Sequence, residues 1–182
     1  MLVLYISLHG CSGAIDKKAA FDSIEADSGR GLASVIKGVP FFPQKELMCG
    51  PASLADVLNY YGMKTSLEEV SKGVYRPELK GTLSIDMLLY AKDKGFEADF
   101  YSGGIEDLKK RVRDGTPPIL FLNLGFASYP IGHYIVVTGF SDPDGVVIVH
   151  SGLERDKVMS YKELAGAWSK TGFSTLLITP RR

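Results

Sequence analysis

The spacing of apolar residues divides the chain into a helical part followed by a strand-rich part. Between positions 50 and 95 apolar residues recur every three or four positions, which is typical of amphipathic helices. From position 96 onward, short apolar and β-branched runs alternate with turn residues, as expected of strands. Helices that precede an antiparallel sheet indicate an α+β fold with the N-terminal helices packed on that sheet.

Three amphipathic helices are predicted in the first part. The first begins at Gly50 and Pro51, because proline is tolerated in the first turn of a helix, and it ends at Gly62. The second follows a capping box formed by Thr65 and Glu68. The pattern thus gives both helices a defined first turn.

The third predicted helix covers residues 84–95 and ends at a glycine. The acidic residues Asp56, on the first helix, and Asp86, on the third, are expected to face solvent. The predicted buried face of the third helix carries Ile85, Leu88, Leu89 and the region of Ala91.

The second part is expected to form an antiparallel sheet with two helices. The turn Ser141–Gly145 joins two strands into a hairpin, because Asp, Pro and Gly favour tight turns. The predicted strands cover 96–101, 118–122, 134–140, 146–149 and 173–178, and the predicted helices cover 105–113 and 161–168.

The first 33 residues differ from the rest in composition. Residues 1–8 are almost wholly apolar, and the run that ends in Gly10 and Cys11 resembles the lipobox of bacterial lipoproteins, in which the cysteine is acylated. Two features depart from a lipoprotein signal sequence: no Lys or Arg precedes the apolar run, and the run is short. A translation start upstream of Met1 would account for both. The alternative is a buried first strand with a free thiol. We interpret 1–11 as a signal remnant, 12–33 as a polar tether and 34–182 as one folded domain.

Composition excludes several classes of function. The chain has 21 basic and 21 acidic residues, so its zero net charge gives no electrostatic basis for binding nucleic acid. The three histidines and two cysteines lack the short spacings of a zinc site. The chain has no Walker A phosphate loop. We therefore expect neither a cofactor nor a metal, and expect membrane contact only through a lipid on Cys11.

The segment around Cys49 carries the features of a nucleophile. A cysteine just ahead of a helix lies near free main-chain N–H groups, which favour the thiolate. Gly50 lets a substrate backbone approach, and Gln44 lies five residues upstream. The Gln44 amide and the Cys49 N–H could together bind the oxyanion of a tetrahedral intermediate.

His133 is the candidate base for this nucleophile. It follows Gly132 and opens the apolar strand 134–140, so its side chain is expected at the mouth of a rigid strand. A histidine viewed alone is more often a core or surface residue. Together with Cys49 and Gln44, it indicates a cysteine–histidine pair.

These segments resemble the C39 family of papain-fold peptidases, which includes double-glycine leader peptidases. The resemblance is carried by Gln44, Cys49–Leu54, Tyr60–Gly62 and His133–Gly139, and it extends from about 39 to 178. It is greatest to stand-alone, lipobox-bearing members. It implies a papain-like fold in which Gln44 contributes to the oxyanion hole, Cys49 attacks and His133 is the base.

The resemblance fails at the third catalytic position. C39 peptidases usually carry an Asp on the strand after the histidine, whereas the partner of His133 is expected here near 150–152, where His150 is the candidate orienting residue. Asn123 is an alternative orienting residue. Asp142 belongs to the turn at the far end of the strand. Gly50, Asn123 and Gly132 are the predicted substrate contacts.

The sequence therefore predicts a thiol-dependent peptidase of the bacterial cell envelope that acts on a peptide or protein. The alternative is a catalytically silent papain-fold module that binds peptides or proteins there, which the absent carboxylate favours. Acyl transfer or amidase chemistry on another substrate would use the same residues. The sequence leaves the native substrate and the oligomeric state open.

Overall fold

The computed structural model describes residues 18, 21–22, 24, 27–44 and 47–181. The predicted signal remnant 1–11, with Cys11, lies outside the described residues. The α-helices named within the described part are α1 (Cys49–Tyr60), α2 (Leu67–Val74), α3 (Ser84–Asp93), α4 (Ile105–Arg113) and α5 (Tyr161–Trp168).

Within the same residues, seven strands form one antiparallel sheet and two short strands form a hairpin. The large sheet has the order β4-β9-β5-β6-β7-β8, and β1 pairs with β6. The strands are β1 (Ala33–Val35), β2 (Tyr75–Arg76), β3 (Gly81–Thr82), β4 (Phe96–Ser102), β5 (Ile119–Asn123), β6 (Gly132–Ser141), β7 (Val146–Ser151), β8 (Glu154–Ser160) and β9 (Ser174–Pro180). Helices packed on an antiparallel sheet confirm the predicted α+β architecture.

The central helix α1 is buried against β6 and positions the candidate nucleophile. Residues 50–58 of this helix are all buried, so its first two turns have no solvent face. The expectation that Asp56 faces solvent is therefore wrong, since its side chain is 0% exposed. Asp86 is also mostly covered, because Arg76 forms an ion pair with it at 2.6 Å.

Two helices differ in detail from the prediction. The capping box of α2 lies one residue later: Ser66 accepts from the Glu69 N–H, and the Glu69 side chain accepts from the Ser66 N–H. In α3 the buried face carries Ala91, as predicted, and Met87, which was not predicted. The predicted core residues Ile85 and Leu89 are 52% and 57% exposed, and Leu88 is partly buried.

The strand β8 was not predicted. It pairs with β7 and forms an edge of the sheet, so most of its residues are only partly covered and its sequence lacks a continuous apolar run. Gly152, with φ of 61°, makes the turn between β7 and β8. This turn returns the chain beside the end of β7, next to the candidate site.

Part of the predicted tether packs on the domain. Ile24 is 2% exposed and contacts Ala33 and Ile148, and Phe21 packs on the same small cluster. Ala33 also begins β1, which pairs with β6. The folded unit thus includes described residues upstream of the predicted boundary at 34.

Candidate active site

The Cys49 sulfur lies at the N-terminal end of α1. Cys49 is the first residue of that helix, and Met48 ahead of it supplies no side-chain cap. The N–H groups of the first helical turn have no partner within a helix, so they are available to a nearby anion. Main-chain groups of Tyr134, Gly50 and Cys49 hydrogen-bond the sulfur. Because Tyr134 follows His133, these bonds place Cys49 beside the strand that carries the candidate base.

Burial of the site favours the neutral form of both groups. Burial raises the pKa of the Cys49 thiol, and the main-chain hydrogen bonds oppose this rise without reversing it. Burial also lowers the pKa of His133, and the positive charge of Lys157 acts in the same direction. The N–H groups at the start of α1 favour the thiolate, as expected, but burial outweighs them in the resting protein. Both pKa shifts favour a neutral thiol and a neutral imidazole at pH 7.

The pH dependence of Cys49 alkylation should reflect this. In the full chain with Cys11→Ser, Cys49 is the only thiol, so iodoacetamide reports on it alone. A raised pKa leaves less thiolate at any given pH. The alkylation midpoint is therefore expected above that of free cysteine, which is about 8.5. Mass spectrometry of the alkylated protein from pH 5 to pH 11 measures it. A midpoint well below 8 that disappears in His133→Ala would instead show a thiolate–imidazolium pair in the resting protein.

His133 is held by a serine on the neighbouring strand. It is the second residue of β6, and its Nε2 shares a hydrogen bond of 2.9 Å with Ser151 Oγ, at the end of β7. Such a bond fixes the orientation of the ring, as the third member of a catalytic triad does. A hydroxyl is neutral, however, and stabilises an imidazolium less than a carboxylate does.

The assignment of His150 as the partner of His133 does not hold in the structure. Successive side chains of a strand point to opposite faces, so His150 and Ser151 cannot both face His133. His150 is 1% exposed, with Nδ1 3.4 Å from an Asp56 oxygen and Nε2 3.3 Å from an Asp156 oxygen. The segment 150–152 was located correctly from the sequence, and Ser151 is the residue within it that reaches His133.

Three hydrogen bonds hold Gln44 in place. Its main-chain N–H donates to the Gly152 carbonyl at 2.8 Å, and its Oε1 accepts from the Gly152 N–H at 2.9 Å. Its Nε2 donates to Ser53 Oγ at 3.4 Å. Ser53 lies one helical turn after Cys49 on the same face of α1. The buried amide is thus held next to the helix that carries the nucleophile.

Among the predicted substrate contacts, Asn123 holds the loop that precedes β6. Asn123 Oδ1 accepts from the N–H groups of Gly125 and Ile131, both at 2.9 Å. This oxygen therefore closes the loop 124–131. Because it already accepts two hydrogen bonds, Asn123 is a poor candidate for the orienting residue. The loop exposes two aromatic residues ahead of the base: Phe126 (79%) and Tyr129 (72%).

Two glycines lie next to the catalytic candidates. A Cβ on Gly50 would come within 2.6 Å of the Thr82 side chain, so the wall beside Cys49 is closely packed. A Cβ on Gly132 would come within 2.8 Å of the Phe121 ring. Any side chain at either position would therefore displace a residue next to Cys49 or His133.

The described part of the chain holds neither a metal-binding cluster nor a membrane-spanning helix. No group of three or more His, Cys, Asp or Glu side chains there is suited to a metal ion. No helix in that part has the length and apolar character needed to span a bilayer.

The amino-acid sequence matches one family model over most of its length. Residues 36–176 match the model described as the Peptidase_C39 like family. The chain belongs to this family. No curated protein matches it. Membership, together with the fold, supports a peptidase function of the cysteine type.

Solved structures of C39 peptidase domains share the fold. A double glycine motif protease from an AMS/PCAT transporter, in complex with its leader peptide, is 26% identical, with a TM-score of 0.63 over 82% of this chain and 99% of that one. The peptidase domain of Streptococcus ComA is 22% identical, with a TM-score of 0.63 over 79% and 100%. A C39-like peptidase from Bacillus anthracis is 18% identical, with a TM-score of 0.66 over 82% and 98%.

Proposed function

We propose that the chain is a thiol-dependent peptidase in which Cys49 is the nucleophile, His133 the base and Gln44 an oxyanion donor. The observation that supports the proposal is that contacts tie Cys49 to the residue after His133, and Gln44 to the helix that begins at Cys49. The start of α1 brings the thiol, the start of β6 brings a histidine whose ring is held by Ser151, and the chain before α1 brings a buried amide. A cleft that only bound peptides would need none of these three groups in this arrangement.

The first chemical step is attack of sulfur on the peptide carbonyl. With Nε2 of His133 bonded to Ser151, Nδ1 is the nitrogen that takes the proton from Cys49 as the new C–S bond forms. Since both groups are neutral at rest, this transfer accompanies attack. The carbonyl oxygen becomes an oxyanion, which the Cys49 N–H and one Nε2 hydrogen of Gln44 stabilise.

Breakdown of this intermediate completes the cycle. The C–N bond breaks, the leaving amine takes the proton from His133, and a thioester remains on Cys49. His133 then removes a proton from water, which attacks the thioester carbonyl. The acid product departs, and the proton returns to the Cys49 sulfur. No cofactor enters these steps.

We propose a peptide with a double glycine as the substrate. A neighbour of 26% identity is a double glycine motif protease bound to its leader peptide. The rings of Phe126 and Tyr129 are exposed in the loop before β6, and we propose that they contact apolar residues of the peptide.

A panel of peptides tests this proposal. Matched synthetic peptides that contain Gly-Gly, Ala-Ala or Gly-Ala are incubated with the wild-type chain and with Cys49→Ala, and products are identified by mass spectrometry. We expect cleavage after Gly-Gly by the wild type only, because the variant lacks the attacking sulfur. Cleavage that persists in Cys49→Ala would refute the mechanism. Binding of the peptides without cleavage would instead support the silent peptide-binding module, which the neutral Ser151 at the third position favours.

We further propose that a lipid on Cys11 anchors the protein in the bacterial cell envelope. This rests on the apolar run before Cys11 alone. The mass of the N-terminal peptide from membranes of expressing bacteria tests it, and a free Cys11 thiol there would contradict it.

A further inference from the structure

The buried pair Asp56–His150 is not used by the mechanism above, although both side chains lie close to it. Asp56 is 0% exposed and His150 1% exposed. The edge of the Phe41 ring packs against the imidazole at 5.2 Å between centroids. Burial of ionisable groups costs free energy unless they are paired, so their presence in the core calls for a physical reason.

His150 bridges two carboxylates on different elements. Its Nδ1 is 3.4 Å from Asp56 Oδ2 on α1, and its Nε2 is 3.3 Å from Asp156 Oδ1 on β8. Asp156 has a left-handed backbone with φ of 53°, an uncommon conformation for a residue other than glycine. Asp56 Oδ2 and His150 Nδ1 face each other without hydrogen-bond geometry and have no other hydrogen-bond partner among the described residues. Burial raises the pKa of Asp56, and the neighbouring His150 and the Phe42 N–H oppose that rise. The histidine thus joins the nucleophile helix to the edge strand through β7.

Asp56 also holds the segment that carries the oxyanion donor. Its Oδ1 accepts from the Phe42 N–H at 2.7 Å, two residues before Gln44. The same short segment is held from its other end, because Gln44 and Gly152 share two hydrogen bonds. Asp56 thus holds the chain two residues before Gln44, and Gly152, two residues after His150, holds Gln44 itself.

Three consecutive residues, the last two of β7 and the turn glycine after them, consequently serve three parts of the site. His150 contacts Asp56 on α1, Ser151 bonds the base His133, and Gly152 bonds the oxyanion donor Gln44. A shift of His150 would move its two neighbours with it, since they are joined by the main chain. A misplacement of about 1 Å is enough to reduce catalysis strongly.

We propose that His150, held between Asp56 and Asp156, is a positioning residue that fixes Gln44 and Ser151 for catalysis. This inference rests on the proposed peptidase function. It differs from the sequence-based assignment, in which His150 bonded His133 directly, because it acts through β7 and Asp56. The test must therefore show that His150 works through Gln44, and must include a measurement that needs no activity.

The test is a set of variants of the full chain. His150→Gln keeps the approximate size of the side chain, but its amide oxygen would face one of the two carboxylates, so it cannot hold both. Asp56→Asn keeps an acceptor for the Phe42 N–H while it removes the charge. We expect each to lower kcat by about 10²-fold with KM changed less than about 2-fold.

In a Gln44→Ala background His150→Gln should lower kcat by at most about 10-fold, because the group that it positions is already gone. Thr138→Val, which removes a different buried hydrogen bond of the sheet, controls for loss of stability and should leave kcat unchanged.

Nuclear magnetic resonance of the same variants provides the measurement that needs no activity. In His150→Gln the Gln44 side-chain amide resonances should shift and the Gly152 amide should exchange faster, while the thermal midpoint stays close to that of Thr138→Val. Equal kcat losses in both backgrounds, or an unchanged Gln44 amide, would overturn the proposal. If the wild type cleaves no peptide, the peptidase function fails, and the Gln44 and Gly152 signals alone decide whether His150 positions this segment.

Discussion

His133→Ala should reduce kcat/KM on a Gly-Gly peptide by about 10⁴- to 10⁶-fold. The thiol is neutral at rest because burial raises its pKa, so attack depends on a base that removes the proton at that moment. His133 also supplies the proton to the leaving amine, so its loss slows both the attack of sulfur and the departure of the amine. Single-turnover cleavage, followed by chromatography with the enzyme in excess, measures this loss.

The activity of Ser151→Ala can be compared with that of His133→Ala. Ser151→Ala removes the partner of His133 Nε2 but leaves the base, so its effect should be much smaller than that of His133→Ala. Unfolding curves for both variants show whether either change acts through stability. Comparable activity of wild type and His133→Ala, with both chains folded, would remove His133 from the mechanism.

Gln44→Ala should reduce kcat by about 10²- to 10³-fold, the usual effect of removing one oxyanion donor. The amide is buried and held by Ser53 and Gly152, so it needs no reorganisation when the oxyanion forms. The ground-state carbonyl gains less from this donor than the oxyanion does, and KM should therefore change little. Steady-state kinetics with the cleaved peptide separates kcat from KM.

Gln44→Glu is the matched control for this prediction. A glutamate retains an oxygen that accepts from the Gly152 N–H, so the local fold is kept. It lacks the Nε2 donor and brings a negative charge near the developing oxyanion, and it should be at least as impaired as Gln44→Ala. If Gln44→Glu retained wild-type kcat, Gln44 would have only a structural role.

Local sequence signals were reliable wherever a short segment determines its own structure. Proline and glycine set the bounds of α1 to within two residues, and helices α4 and α5 cover the residues predicted for them. The turn Ser141–Gly145 joins β6 to β7, as its composition indicated. Errors arose where burial is decided by distant elements: the periodicity of α3 did not show which apolar residues face the core, and β8 has no apolar run to mark it.

The amino-acid sequence by itself determined the α+β architecture and the segments that carry Gln44, Cys49 and His133, because each has a local signature that a short stretch of chain supplies. Only the tertiary structure decided that Ser151 holds His133, since which of two adjacent side chains faces the site depends on strand pairing. It also decided that Asp56 is buried beside His150, and that burial outweighs the helix terminus in setting the Cys49 pKa. Both depend on how many distant atoms exclude water from a group, which no short segment specifies.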